Sequence, residues 1–137
     1  MSKNIAVVLG SFHKSEATEM LDEIRQYCQE HDLNISEEVW VPGSMEKPLA
    51  LKAILSKDHI DGAVVVGIIE KGETSHGFVM ATAAIDAIIR IQLETMKPVG
   101  VGILGPDITP EQIPPRVRPY ARSAVTAMNT MFDVLDN

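Results

Sequence analysis

His76 is the residue best placed to do acid–base chemistry. It ends a glycine-containing segment, residues 67–76, and stands directly before an apolar pattern that predicts a helix. A histidine at the start of a helix is accessible to a ligand and is a common general base. By position alone, a histidine that only caps the helix or lies on the surface is the more common case, so the surrounding residues have to decide.

Two further features suit a phosphate group. Gly72, Glu73 and Thr74 precede the same predicted helix, whose first N–H groups and positive dipole end attract an anion. Arg116 and Arg122 belong to a group of arginines before and within the last predicted helix, and a guanidinium is the natural clamp for phosphate. Simple N-capping is the alternative for the first feature, and solvated arginines are the alternative for the second.

Two residues after predicted strands suit an aromatic, hydroxylated ligand. Phe12 follows the first strand directly, where a core aromatic is oddly placed and an exposed ring can stack on a heteroaromatic ligand. Glu46, in the turn P-G-S-M-E, can accept hydrogen bonds from sugar-alcohol hydroxyls. Considered alone, Glu46 is better explained as a complement to the dipole of the helix that follows.

Four nearly continuous apolar runs predict the strands that carry these turns, at residues 5–9, 35–41, 63–69 and 99–104. Continuous runs indicate strands covered on both faces, as in a parallel sheet. The alternation with helical patterns predicts one α/β domain over residues 1–137: a three-layer, doubly wound, flavodoxin-like sandwich with a four-stranded parallel sheet and helices on both faces. Ligands of such sheets bind at the carboxyl ends of the strands.

Each predicted helix has an apolar stripe. The stripes are Met20, Leu21, Ile24, Tyr27 and Cys28; Leu49, Ala50, Ala53 and Ile54; Phe78, Ala81, Ile85, Ile88 and Ile89; and Ala121, Ala124, Val125, Met128, Met131, Phe132 and Leu135. The third helix is apolar around much of its circumference, which predicts either a subunit interface or a deep core helix.

Composition excludes several classes of protein. A net charge of −7 argues against a nucleic-acid surface, although two or three cations still suffice for a small phosphate ligand. One cysteine permits no internal disulfide, and the four histidines show no metal-site spacing. No signal peptide is evident, and polar residues interrupt the longest apolar stretch, so we expect a cytoplasmic protein without a membrane span.

Two turns together resemble the lumazine synthase family. Residues 41–50 resemble its V-P-G-x-x-E-x-P-x-A stretch, and residues 67–76 resemble its G-x-x-I-x-G-E-T-x-H stretch. The segment from Gly105 to Thr109, with Arg116 and the last helix, is similar to the short archaeal form. The resemblance runs from the first strand to the last helix, and this pair of motifs is far more specific than an isolated turn.

The resemblance implies a reaction without metal or cofactor, in which 5-amino-6-ribitylaminouracil condenses with 3,4-dihydroxy-2-butanone 4-phosphate. It implies small-molecule substrates and no nucleic-acid or membrane partner. It also implies a homopentamer with active sites between its subunits, and such pentamers can assemble further into a larger shell. The implied roles are acid–base catalysis by His76; pyrimidine stacking by Phe12; ribityl binding by Ser44, Met45 and Glu46; backbone contacts from Ile68 and Ile69; phosphate binding by Gly72, Glu73, Thr74, Arg116 and Arg122; and a contribution from Val101, with the arginines, by a neighbouring subunit.

Three departures from the family pattern qualify this mapping. His13 stands where asparagine is common, Lys71 replaces a common arginine, and Pro114 and Pro115 stiffen the segment before Arg116. Archaeal-type riboflavin synthase is the nearest alternative, but it lacks the G-E-T-x-H histidine. A flavin-binding protein is a second alternative, because residues 10–15 resemble a G-S-x-x-x-S phosphate loop, and an inactive lumazine-binding shell protein is a third.

Overall fold

In the computed structural model, which describes residues 2–137, four β-strands alternate with four α-helices. The strands are β1 (Lys3–Gly10), β2 (Leu33–Val41), β3 (Gly62–Glu70) and β4 (Val99–Ile108). The helices are α1 (Lys14–Glu30), α2 (Lys47–Leu55), α3 (His76–Thr95) and α4 (Val117–Asp136). Short 3-10 turns lie at Ser44–Glu46, Pro110–Gln112 and Pro114–Arg116.

The strands form one parallel sheet in the order β2-β1-β3-β4, which confirms the predicted fold class. Helices α1 and α4 pack on one face, and α2 and α3 pack on the other, each over its own apolar core. The chain moves outward from β1 to β2 and then returns past β1 to β3. The strand order therefore reverses between β1 and β3, and the crevice at their carboxyl ends is the expected ligand site.

The prediction that every strand is covered on both faces is correct for β3 and wrong for β2. Residues 62–69 of β3 are all buried, whereas half-buried and exposed residues alternate along β2. Strand β2 is an edge strand with a single neighbour, so its outward side chains stay in solvent. Strand β4 runs four residues beyond its predicted end, because Glu70 of β3 still pairs with Ile108.

The predicted core stripe of α2 is correct in part. Ile54 is buried and Ala50 packs half-buried against the core, but Leu49 and Ala53 are exposed, and the helix also buries Lys47, Leu51 and Leu55 to complete its core face with Ile54. These four positions are spaced at i, i+4, i+7 and i+8, which is the spacing of one helical face. The sequence holds two overlapping stripes, and contact with the sheet selects the one that contains the lysine.

The stripes of α1 and α4 are close to prediction. All five stripe residues of α1 are buried, and α4 buries its predicted residues except Met131 and Leu135.

Helix α3 buries Ala81 and Ile88 on the sheet but leaves Phe78 and Ile89 about half exposed. Within residues 2–137, it is also the helix whose length and composition would be sufficient to cross a membrane. Its apolar surface is thus wider than the contact that one subunit provides.

Candidate functional site

A cavity of about 290 Å³ lies at the carboxyl ends of β1 and β3, where the strand order reverses. Four residues singled out from the sequence line it: Phe12, Ser44, Ile68 and Ile69. The Phe12 ring is 84% exposed, so one side of the cavity is bounded by a free aromatic face. Ser44 is buried, and Ile68 and Ile69 are buried on opposite faces of the sheet where β3 ends.

Met45 and Glu46 lie between two cavity-lining residues, Ser44 and Lys47, but do not line the cavity themselves. They lie in the 3-10 turn that begins with Ser44, and both side chains are exposed. A Cβ placed on the cavity-lining Gly43 would lie 3.4 Å from Glu46 Oε1, so the carboxylate reaches over the cavity's edge. This arrangement offers an acceptor for hydroxyl groups beside the buried Ser44 hydroxyl.

His76 begins α3, as predicted, and lies on the cavity side of that helix. Met80 lines the cavity and follows His76 by four residues, the spacing that places two side chains on one helical face. A Cβ on Gly77 would lie 3.2 Å from the Glu70 carbonyl oxygen, so the start of α3 packs tightly against the end of β3. The imidazole is exposed and does not itself line the cavity; it lies one helical turn before Met80, which does.

The turn formed by Gly72, Glu73 and Thr74 is exposed beside His76. The His76 N–H donates to Thr74 Oγ1 at 3.3 Å, while Ser75, the N-cap residue of α3, makes no side-chain capping hydrogen bond. The Lys71 N–H donates to the Ile108 carbonyl oxygen at 2.9 Å and ties the turn to the end of β4. The remaining N–H groups of the first helical turn point to the same end, where an anion is favoured.

Arg116 does not line this cavity. It lines a second cleft of about 230 Å³ with Asp107, Gln112 and Tyr120, and it donates from Nη1 to the Gln112 carbonyl oxygen at 2.9 Å.

Arg122, predicted to bind phosphate, is engaged in two ion pairs. Its guanidinium donates to Glu23 at 2.9 Å and to Glu30 at 2.7 Å, and these hydrogen bonds raise the arginine pKa above its ordinary value. Both carboxylates belong to α1, so Arg122 joins α4 to α1 on the surface. Two carboxylates already neutralise its charge and would repel a phosphate.

Val101 is also outside the cavity. It lies on the edge strand β4, and 37% of its surface is exposed. Its side chain lies on the same face of the sheet as those of Val99 and Ile103, but those two residues are buried. An exposed apolar side chain between two buried ones marks a surface suited to a neighbouring chain.

Among the cavity residues without a predicted role are the side chains of His13, Lys47, Glu70 and Met80. His13 Nε2 lies 3.6 Å from Glu70 Oε1, and the two rings of Phe12 and His13 meet edge to face with centroids 5.1 Å apart. His13 and Glu70 thus connect the ends of β1 and β3 across the cavity. The sequence signal for Lys47 was its place on the true core stripe of α2, four residues before Leu51.

Lys47 is the charged side chain that lies deepest in the site, with only 1% of its surface exposed. Burial lowers its pKa from 10.5 to about 8, and the nearby Glu46 carboxylate offsets part of that effect. Burial also raises the pKa of the Cys28 thiol to about 11, which makes that cysteine a poor nucleophile.

The fold and the site define a doubly wound α/β protein with an open cavity at the switch point of its sheet, bounded on one side by an exposed aromatic ring. The model of the family described as 6,7-dimethyl-8-ribityllumazine synthase matches residues 2–136. The chain belongs to this family, whose members are transferases of riboflavin biosynthesis.

Curated relatives of that name cover most of the chain. The protein from Methanococcus vannielii is 36% identical over 125 residues, which are 90% of this chain and 88% of the relative. The protein from Metallosphaera sedula is 36% identical over 124 residues, 90% of this chain and 82% of the relative. The Methanococcus maripaludis protein is 33% identical over 124 residues, 90% of each chain. The family predicted from the two motifs is confirmed, and the alternatives are not favoured.

Proposed function

We propose that this protein joins 5-amino-6-(D-ribitylamino)uracil to 3,4-dihydroxy-2-butanone 4-phosphate. The 5-amino group adds to the ketone, water leaves and an imine forms. Phosphate is then eliminated, and the ribityl-bearing nitrogen closes the second ring with loss of a further water. The product is 6,7-dimethyl-8-ribityllumazine. The observation that carries this proposal is the cavity itself, which is lined by the exposed Phe12 ring and the buried Ser44, with the helix that begins at His76 contributing Met80 to its wall.

The cavity fits the pyrimidine substrate in three ways. Phe12 offers an unobstructed face on which a pyrimidine ring stacks, a contact worth about 1–3 kcal/mol. Ser44, Met45 and Glu46 form the turn that meets the ribityl chain, where a hydroxyl and a carboxylate are at hand. The end of β3 at Ile68 and Ile69 supplies backbone groups to the ring edge, as expected at the end of a parallel strand.

His76 would move protons beside this cavity. Imine formation, phosphate elimination and ring closure each need a proton transferred at a nitrogen, a carbon or an oxygen. An imidazole beside the cavity reaches the bound amine and its surroundings without displacing the ring. One positioned acid–base group contributes about 10²–10⁴-fold, and holding two substrates together contributes up to about 7–11 kcal/mol.

The phosphate group would lie at the start of α3, on Gly72, Glu73 and Thr74. We propose that Arg116 reaches it from a neighbouring subunit, because Arg116 lines a cleft separate from the cavity within its own subunit. We do not include Arg122 among the phosphate-binding residues, since its two terminal guanidinium nitrogens donate hydrogen bonds to Glu23 and Glu30.

We propose a homopentamer in which each site is completed by an adjacent subunit. The support is the apolar surface left open along α3 and β4. Val79 and Leu93 of α3 are 61% and 69% exposed, and Val101 is partly exposed beside them. Exposed apolar surface of this extent marks an interface. Light scattering should give about 75 kDa, which is five chains of 15.0 kDa. We expect the assembly in the cytoplasm.

The direct test is turnover. The purified protein is mixed with both substrates, and lumazine absorbance and fluorescence are followed against a protein-free control. Product formation well above the uncatalysed rate establishes the activity. A correctly folded oligomer that gives no acceleration overturns it, and riboflavin formation from lumazine is then the next reaction to measure.

A further inference from the structure

Lys47 has no part in the reaction described above, yet it occupies the floor of the cavity. Within residues 2–137, Ser44 and Lys47 are the buried polar side chains, and of these only the lysine carries a charge. Its side chain leaves the first turn of α2 and runs beneath the carboxyl ends of β1 and β3. It therefore lies where the bound ring and its side chain meet the sheet.

Two glycines on adjacent strands make the space for this lysine. A Cβ on Gly67 of β3 would overlap Lys47 Nζ, and a Cβ on Gly10 of β1 would lie 3.2 Å from the same atom. Both positions face the α2 and α3 side of the sheet, as do Val8 and Val65 two residues earlier on each strand. Any larger residue at Gly67 would displace the ammonium, so the groove fits the lysine side chain.

The Lys47 ammonium group has no hydrogen-bond partner in the part of the chain that the structure describes. Hydrogen bonds or ion pairs occupy the Nζ atoms of Lys3, Lys52, Lys57 and Lys97, but none within residues 2–137 involves Lys47. No fully enclosed side-chain nitrogen or oxygen in this part of the chain lacks a partner. The Lys47 Nζ must therefore be the part of the residue that opens onto the cavity.

A buried ammonium without an acceptor is expensive, and proteins rarely retain one unless a ligand supplies the acceptor. We propose that Lys47 binds the pyrimidine substrate by donating a hydrogen bond from Nζ to one of its oxygen atoms. This inference rests on the proposed function and adds a substrate-binding residue to the same site. The shared chemistry is an oxygen acceptor, which is either a carbonyl of the pyrimidinedione ring or a hydroxyl of the ribityl chain.

Binding of the fluorescent product tests the proposal. The dissociation constant of 6,7-dimethyl-8-ribityllumazine is measured by fluorescence titration with wild type, Lys47→Met and Lys52→Met. Lys47→Met keeps the length of the side chain and removes the ammonium. Lys52→Met is the matched control, because Lys52 lies on the same helix but is exposed and pairs with Glu94 at 2.6 Å. We expect Lys47→Met to weaken binding by about 10- to 100-fold and the control to bind as wild type does.

Repeating the titration with 6,7-dimethyllumazine, which lacks the ribityl chain, identifies the acceptor. A similar loss for both ligands assigns a ring carbonyl, and a loss only for the ribityl compound assigns a hydroxyl. Unchanged affinity of folded Lys47→Met for both ligands overturns the proposal while leaving the synthase activity intact. A wild-type protein that neither binds lumazine nor forms it overturns both proposals together.

The pH dependence gives a second measurement that needs no stable variant. The ammonium donates a charge-assisted hydrogen bond that is much stronger than the one a neutral amine donates, so wild-type affinity should fall as pH rises above about 8, beyond what the ligand's own titration explains. His13 from the β1–α1 turn, Glu46 from the 3-10 turn, Glu70 from β3 and His76 from α3 also line or flank the cavity. They are present in Lys47→Met as well, and that variant should lose the additional fall. Wild-type affinity that is constant over this range, after correction for the ligand, refutes the bond.

Discussion

Replacing Lys47 with methionine should stabilise the ligand-free protein at neutral pH. The wild-type fold keeps the Lys47 side chain under the cavity with 1% of the residue's surface exposed, and burial disfavours its charged form. Methionine has a similar length and leaves no charge to desolvate. A substitution at a binding site that raises stability is the behaviour expected where a residue is retained for its ligand.

The magnitude follows from the lysine pKa. A fall from the ordinary 10.5 to about 8 corresponds to about 3 kcal/mol of unfavourable free energy for keeping the ammonium protonated in the fold. Below about pH 8, both the folded and the unfolded chain hold the proton, and the full penalty applies. Between about pH 8 and 10.5, the unfolded chain holds more protons than the folded one, so the wild-type free energy of unfolding rises with pH.

The advantage of Lys47→Met should therefore be about 3 kcal/mol near neutral pH and shrink to under about 1 kcal/mol by about pH 10. Urea unfolding followed by circular dichroism measures it at a series of pH values. The protomer concentration is held fixed, because assembly contributes to stability. The Lys52→Met control should differ from wild type by less than about 1 kcal/mol and show no such trend, since it removes an exposed ion pair.

Two results would refute this reasoning. One is a Lys47→Met protein less stable than wild type near neutral pH, which would mean that the ammonium has a favourable partner in the fold. The other is a stability difference that does not change between about pH 7 and 10, which would mean that the lysine is not held at a lowered pKa.

Three further perturbations have expected outcomes. His76→Ala should slow turnover by about 10²–10⁴-fold without abolishing it, and complete loss in a variant that still binds lumazine would contradict a pure acid–base role. Phe12→Ala should weaken lumazine binding by about 5- to 150-fold while changing the unfolding free energy by less than about 0.5 kcal/mol, because its ring is 84% exposed; calorimetry and urea unfolding separate the two effects. Gly100→Ala places a Cβ 2.7 Å from the carbonyl carbon of Ala124 and should cost about 1–3 kcal/mol, measured by thermal unfolding; an unchanged midpoint would show that α4 moves freely away from the sheet.

Much of the fold is local in origin and was readable from the sequence. Val64, Val65 and Val66 lie in a run so apolar that only a central strand can accommodate it, and β3 is such a strand. His76 begins α3 as predicted, because the turn before it offers no apolar periodicity and the residues after it do. The pair of turn motifs then specified the family. Local pattern therefore determined the elements, their order and the family.

Tertiary structure decided everything that depends on which distant residues meet. The sequence alone allowed Arg122 to bind any anion. Packing of α4 against α1 places its guanidinium within hydrogen-bond distance of Glu23 and Glu30. Lys47 stands beside Glu46 in a turn, where a lysine is ordinarily solvated. It is buried because Gly10 and Gly67, far apart in the chain, face it from adjacent strands. Periodicity shows which face of a helix is apolar, but the sheet beneath that helix decides which residue is covered and what charge the cavity contains.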